Sequence, residues 1–189
     1  MSSRFTDSAA LPLQAIPAAE GSGRRDRLQE DVVALFDQYR DPLLRYLSSM
    51  GLPFPDGEEV VQEVFLSLFQ HLDRGRPRDN LRGWLFRVAH NLALKRRYRT
   101  RRDHEACAGA ENLAIDPGPS PEAQMANNQT HQRLLAVVQA LPTQDRRCLA
   151  LRAEGLRYRE IAEILGLSLG MVSLSLTRSL ARIARATGR

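Results

Sequence analysis

A chain of 189 residues can hold one ordinary domain or two small ones, and 43% hydrophobic residues with only 6% aromatics suit helical packing better than a sandwich or a barrel. Its formal charge of +5, from 27 Lys and Arg against 22 Asp and Glu, favours a polyanionic partner. No apolar run reaches the roughly 20 residues that cross a bilayer, and Cys107 and Cys148 stand far apart without a CxxC or a neighbouring His, so neither membrane insertion nor a zinc site is expected.

Residues 1–27 are rich in Ala, Ser, Gly and Pro without periodicity and read as a disordered tail. Pro12, Gln14 and Pro17 interrupt its few apolar residues, so no secretory leader is expected; the chain is read as cytoplasmic, with two free thiols. A first helix is predicted from Leu28, with Val32, Leu35, Phe36, Tyr39, Leu43 and Leu47 on its apolar stripe. Asp41 and Pro42 resemble an N-cap followed by a first-turn proline, which predicts a break or kink there.

After the loop GLPFPDG comes a second predicted helix, EEVVQEVFLSLFQHL. Val60, Val61, Val64, Phe65, Leu68 and Leu72 fall on one stripe at 100° per residue and form its core face. Glu59, Gln62, Glu63 and Leu66 gather on the far side, where a leucine ringed by acids and amides suits docking of another protein.

The third predicted helix follows DRGRPRD and reads NLRGWLFRVAHNLALKRRYRTRR. Spacing buries Leu81, Trp84, Leu85, Val88 and Leu92, and turns Arg82, Phe86, Arg87, His90 and Arg97 outward. Rings among cations suit single-stranded DNA, where bases stack on the rings while cations follow the phosphates. The helix ends in KRRYRTRR, six cations in eight positions including Lys95, Arg96 and Arg97, a good match to a phosphate backbone.

Residues 103–128 carry Pro117, Pro119 and Pro121 with no sustained apolar period and are expected to be a flexible linker. Four short helical patterns fill residues 129–189, and the last two have the layout of a helix-turn-helix around Gly166. Ile161, Leu165, Leu167, Val172, Leu176, Leu180 and Ile183 are expected to form its core. The DNA-facing candidates are Ser168, Met171, Ser173, Leu174, Thr177, Arg178 and Arg182. Met171 and Leu174 could meet thymine methyls, and Arg178 is the best placed to pair with a guanine. The fold class is therefore all-α, with helical domains at 28–102 and 129–189 joined by the linker.

Three stretches, DGEEVVQEVFLSLFQHL, NLRGWLFRVAHNLALKRRYR and VQALPTQDRRCLALRAEGLRYREIAEILGLSLGMV, resemble the extracytoplasmic-function group of bacterial RNA polymerase sigma factors. The resemblance covers about 28–102 and 130–185, in the family's order. It implies that Glu59, Gln62, Glu63 and Leu66 grip core RNA polymerase. It further implies that Asn80, Arg82, Trp84, Phe86, Arg87 and His90, with Lys95, Arg96 and Arg97, melt and read the downstream (−10) promoter element. The resemblance thus gives Trp84 a reading role where spacing makes it core. The last helix would enter the major groove of duplex DNA at the upstream (−35) element.

This chain departs from the family where MVSLSLTR stands in place of the usual Thr-Val-Lys-Ser-Arg-Leu-His-Arg, with Ser173 and Ser175 at the cationic positions. An anti-sigma factor is the further partner that the resemblance implies. No cofactor, metal or catalytic chemistry is expected, since no Gly-rich phosphate loop, ligand cluster or paired nucleophile is present. The alternative is a stand-alone helix-turn-helix regulator of duplex operator DNA.

Overall fold

Residues 19–106 and 128–186 are described in a computed structural model, and they form seven helices with no strand among them. The first unit contains α1 (Ala19–Ser49), α2 (Phe54–Asp73) and α3 (Leu81–Ala106). The second contains α4 (Asn128–Gln139), α5 (Thr143–Ala153), α6 (Tyr158–Leu165) and α7 (Leu169–Ala186). Cys107, residues 107–127 of the expected linker and most of the expected tail lie outside the described residues.

Two expectations about α1 are corrected. The helix begins at Ala19, within the expected tail, because extending an anchored helix adds residues without a new nucleation step. It also runs through Pro42 as one helix, so the expected break is absent. Proline removes one intrahelical hydrogen bond, but Leu43, Tyr46 and Leu47 just beyond it are essentially fully buried and hold the turn in place. At the other end of this unit, α3 continues four residues past its expected end at Arg102, to Ala106.

Alternation of large apolar residues at helical spacing builds the first core. Val60, Val61, Val64 and Leu68 of α2 meet Leu43 and Leu47 of α1 and Leu85, Ala89 and Ala93 of α3 in one buried cluster. Phe36 and Phe65 pack edge to face at 5.0 Å between ring centroids. Proline marks the start of α2, with Pro53 at the N-cap and Pro55 in the first turn, where missing N–H groups leave no intrahelical bond unmade.

In the second unit, Cys148, Leu151, Leu156, Ile161, Ile164, Val172 and Leu176 are buried together. Glu160 accepts from the Arg157 backbone N–H at 2.6 Å and caps the start of α6. Gly166, in the left-handed region at φ 66°, ends α6, and α7 departs at 106° to it, the angle of a helix-turn-helix. Ser168 then accepts from the Met171 N–H at 3.2 Å and caps α7. Leu180, expected in this core, is 56% exposed instead. The inner stripe of α7 is continued by Ser175 and Ser179, two hydroxyl residues that the apolar pattern passed over.

The two units also pack on one another: α1 and α3 face α5 and α6, and the buried residues of both belong to a single cluster.

Candidate functional site

Three faces carry the residues singled out in the sequence. On α2, Glu59, Gln62 and Glu63 are exposed and Leu66 is 60% exposed, which leaves a large apolar side chain in solvent among polar neighbours. Arg96 of α3 reaches back to this face and pairs with Glu59 at 2.5 Å and Asp56 at 3.0 Å. It therefore braces α2 against α3, and its donors are engaged with carboxylates in this arrangement.

On α3 the outward and inward sides differ from expectation at two positions. Phe86 is completely buried, with its ring 5.7 Å from that of Tyr46. His90 is also buried, and its Nδ1 is hydrogen-bonded to the Tyr46 hydroxyl at 2.7 Å. Burial, with a smaller contribution from the Arg147 charge, lowers the His90 pKa to about 4, so the ring is neutral at physiological pH. The cause of the correction is geometric: α3 is covered by α1 and α2 on one side and by the second unit on another, so both of its flanks are core. Periodicity detects a single buried stripe and assigns the rest to solvent.

The remaining candidates on and before α3 are better placed for contact with a ligand. Asn80 is exposed, adopts φ 51°, and accepts from the Gly83 N–H at 3.1 Å, which fixes the first turn of α3. Trp84 is half-buried, its ring 4.9 Å from that of His71, so it belongs wholly neither to core nor to surface. Arg87 and Lys95 are exposed, and Arg97 is half-buried. Tyr98 is 65% exposed, with the Arg102 guanidinium 5.9 Å from its ring centre, an aromatic and cationic pair near the end of the helix.

Arg82 is half-buried and donates to the backbone carbonyl of Glu154 at the end of α5. The Glu154 carboxylate takes two further bonds from Arg45, at 2.9 and 2.8 Å. Gly155 follows at φ 81°, and a side chain there would start 2.5 Å from Arg82 Nη2. Neither Arg45 nor Glu154 was singled out in the sequence. Gly155 does signal a helix end, but no local pattern links partners 72 or 109 residues apart.

On α7, Ser168, Met171, Ser173, Leu174, Thr177, Arg178 and Arg182 are all exposed. Ser175 is fully buried, so one of the two departures from the usual cationic pattern is an internal packing position. Its hydroxyl donates to the buried carboxylate of Asp145 on α5, which also lies 3.4 Å from Arg178 Nη2. Asp145 was not singled out either, since an isolated Asp in the first turn of a helix reads as an ordinary surface residue. Among the described residues no cluster of His, Cys, Asp and Glu could hold a metal ion, and no single helix is long and apolar enough to cross a membrane.

Comparison with known proteins joins these faces. Residues 35–103 match sigma-70 region 2, and residues 131–183 match sigma-70 region 4. The chain is 30% identical over 178 residues to the RNA polymerase sigma factor CnrH of Cupriavidus metallidurans, covering 89% of this chain and 91% of that one. It is 31% identical over 143 residues to the ECF RNA polymerase sigma-E factor of Escherichia coli K12, covering 70% and 74%. In fold it is similar to the sigma factor RpoE of Bartonella quintana, solved in complex with the anti-sigma factor NepR, at a TM-score of 0.65 and 18% identity over 83% of this chain and 96% of that one. It is also similar to CnrH in complex with the cytosolic domain of CnrY, at a TM-score of 0.54 and 24% identity over 87% and 92%.

Proposed function

The chain belongs to the extracytoplasmic-function group of RNA polymerase sigma factors, a family that acts in transcription initiation, and we propose how its exposed faces divide that work. The face of α2 that bears Glu59, Gln62, Glu63 and Leu66 binds core polymerase, with Leu66 as the apolar anchor. Asn80, Arg82, Trp84 and Arg87 meet the downstream promoter element, while Lys95, Arg97 and their neighbours follow its phosphates. Phe86 and His90 support this surface from beneath and do not touch DNA. Unstacking a base costs a few kcal/mol, which stacking on an accessible ring and contacts to the adjoining phosphates offset.

The exposed face of α7 enters the major groove at the upstream element. Apolar Met171 and Leu174, hydroxyls of Ser168, Ser173 and Thr177, and the cations Arg178 and Arg182 give it a weakly charged reading surface. Such a surface is adequate when the polymerase supplies much of the DNA contact and the linker couples two weak readers on one chain. We assign the protein no catalytic step of its own and place it in the cytoplasm. The stand-alone regulator is not favoured, because its N-terminal unit matches sigma-70 region 2.

The observation that carries this reading is the presence on one chain of an accessible helix-turn-helix face and a basic, aromatic α3. Arg82 is held by the second unit, so reading the downstream element requires the two units to part. An anti-sigma partner of the kind bound in the CnrH and RpoE structures would act by keeping those units from the polymerase. Run-off transcription with purified core polymerase on a genomic fragment library tests the function directly. New transcript starts sharing two spaced upstream motifs are expected; none, in a reaction where another sigma factor works, would overturn it.

A further inference from the structure

We infer that Asp145 is a positioning residue for promoter reading: from beneath α7 its buried carboxylate holds the Arg178 guanidinium and so sets which upstream base pair that arginine selects. The inference rests on the proposed role of the α7 face. Asp145 is the third residue of α5 and is 3% exposed. A carboxylate removed from water must be hydrogen-bonded or paired. Three are on hand: the positive end of α5, the hydroxyl of Ser175, and Arg178 Nη2 at 3.4 Å. Ser179 in turn donates to the Ser175 carbonyl at 2.8 Å, which keeps its own hydroxyl within α7. Residues 175, 178 and 179 share one side of a helix, so the buried polar cluster ends where Arg178 emerges.

Arg178 is the arginine of α7 that meets a carboxylate among the described residues, and its side chain remains 54% exposed. By contrast, Arg185 Nε turns back onto the Ala181 carbonyl of its own helix at 3.2 Å. A free arginine side chain loses rotamer entropy on being fixed, and a tether at one nitrogen removes part of that loss beforehand. The tether also limits the swing of the fork toward neighbouring phosphates. Guanine recognition needs two donors in a defined plane, so restricting that swing favours one base pair over non-specific contact.

The experiment uses holoenzyme reconstituted from core polymerase and the full chain, on a library of one of its promoters randomised in the upstream element. Arg178→Ala is expected to abolish preference at one or two adjacent positions. Asp145→Asn retains the shape and an acceptor for Ser175, and is expected to weaken preference at those same positions about fivefold. In the Arg178→Ala background, Asp145→Asn should change the preference profile no further. Ser175→Ala, which leaves the charge in place, should keep most of the preference. A uniform loss across all sequences, or no loss, for Asp145→Asn while Arg178→Ala flattens the profile would overturn the positioning role. An unchanged profile for Arg178→Ala overturns the reading of this helix face itself. If Asp145→Asn does not fold, nitrogen relaxation of arginine Nε–H groups in the unaltered chain decides the point. A guanidinium at Arg178 more ordered than that of Arg182 supports the tether, and equal mobility overturns it.

Discussion

Arg45 and Glu154 form a bidentate pair across the two helical units, with Nε and Nη2 at 2.9 and 2.8 Å from the two carboxylate oxygens. The same residue holds Arg82 through its backbone carbonyl, so the end of α5 grips both α1 and α3. Glu154 is mostly buried while Arg45 is well exposed, which places the pair between a screened surface bridge and an interior one; about 1 kcal/mol is a reasonable contribution. Glu154→Gln should therefore raise the population of separated units about fivefold, read as lower energy transfer between labels on α2 and α4. An unchanged distance distribution would mean that apolar packing alone holds the units together.

Gly155→Ala probes the same junction through the backbone. The residue sits at φ 81°, where an L side chain is strained by about 1 kcal/mol, and its Cβ would collide with Arg82 Nη2. The arginine end can move, so the fold survives, but the Arg82 contact is lost. The expected result is a thermal midpoint lowered by a few degrees, together with the separation seen for Glu154→Gln.

The buried Tyr46 and His90 pair gives the stability a defined pH dependence. His90 has a pKa of about 4 when folded, below its ordinary 6.5, chiefly through burial and secondly through Arg147. Between those values the unfolded chain binds the extra proton, so stability is full above pH 6.5 and declines as the pH falls toward 4. Thermal unfolding at pH 7.5, 6 and 5 should show this decline, and His90→Gln, which offers Tyr46 a neutral partner, should flatten it. Equal slopes for both chains would place the acid sensitivity elsewhere.

Phe86 and Arg87 are neighbours in sequence with opposite expected effects. Phe86→Ala leaves a cavity in a fully buried site and should cost about 3–5 kcal/mol of stability, reducing polymerase binding and open-complex formation together. Arg87→Ala removes an exposed cation, so the thermal midpoint should stay within about a degree while open-complex formation falls. Melting measured by permanganate reactivity of unpaired thymines separates the two. A selective melting defect in Phe86→Ala with unchanged stability would return that ring to the DNA-contacting surface.

The all-α class and the helix-turn-helix could be read from sequence because both are written locally. Val60, Val61, Val64 and Leu68 recur at helical spacing, and Gly166 supplies the one left-handed residue the turn needs. Phe86 and His90 read as outward because their buried partner, Tyr46 of α1, lies some forty residues away in the chain and leaves no local signal on α3. The burial of Ser175 against Asp145 is not legible in the sequence for a related reason: a polar residue carries no periodic signal, and only the packing of α5 against α7 makes the pair a buried cluster. The start of α1 was misplaced because Gly21, Ser22 and Gly23 weaken helix propensity without preventing a long anchored helix from extending through them.

Leu66 offers the cleanest separation of binding from folding. It is 60% exposed on α2, surrounded by Glu59, Gln62 and Glu63, while the opposite stripe of the same helix is core. Its side chain therefore adds little to stability, and Leu66→Ala should leave the thermal midpoint nearly unchanged. If it is the apolar anchor for core polymerase, its truncation should weaken that complex by about 1–2 kcal/mol, roughly tenfold in affinity. Contact with the upstream element, assigned to the distant face of α7, should not change. A titration of fluorescently labelled chain with core polymerase measures the first effect, and mobility shift on promoter duplex measures the second. Undiminished polymerase affinity would move the docking face off this side of α2, most directly toward the groove between α2 and α3 where Asp56, Glu63, Lys95 and Arg99 meet.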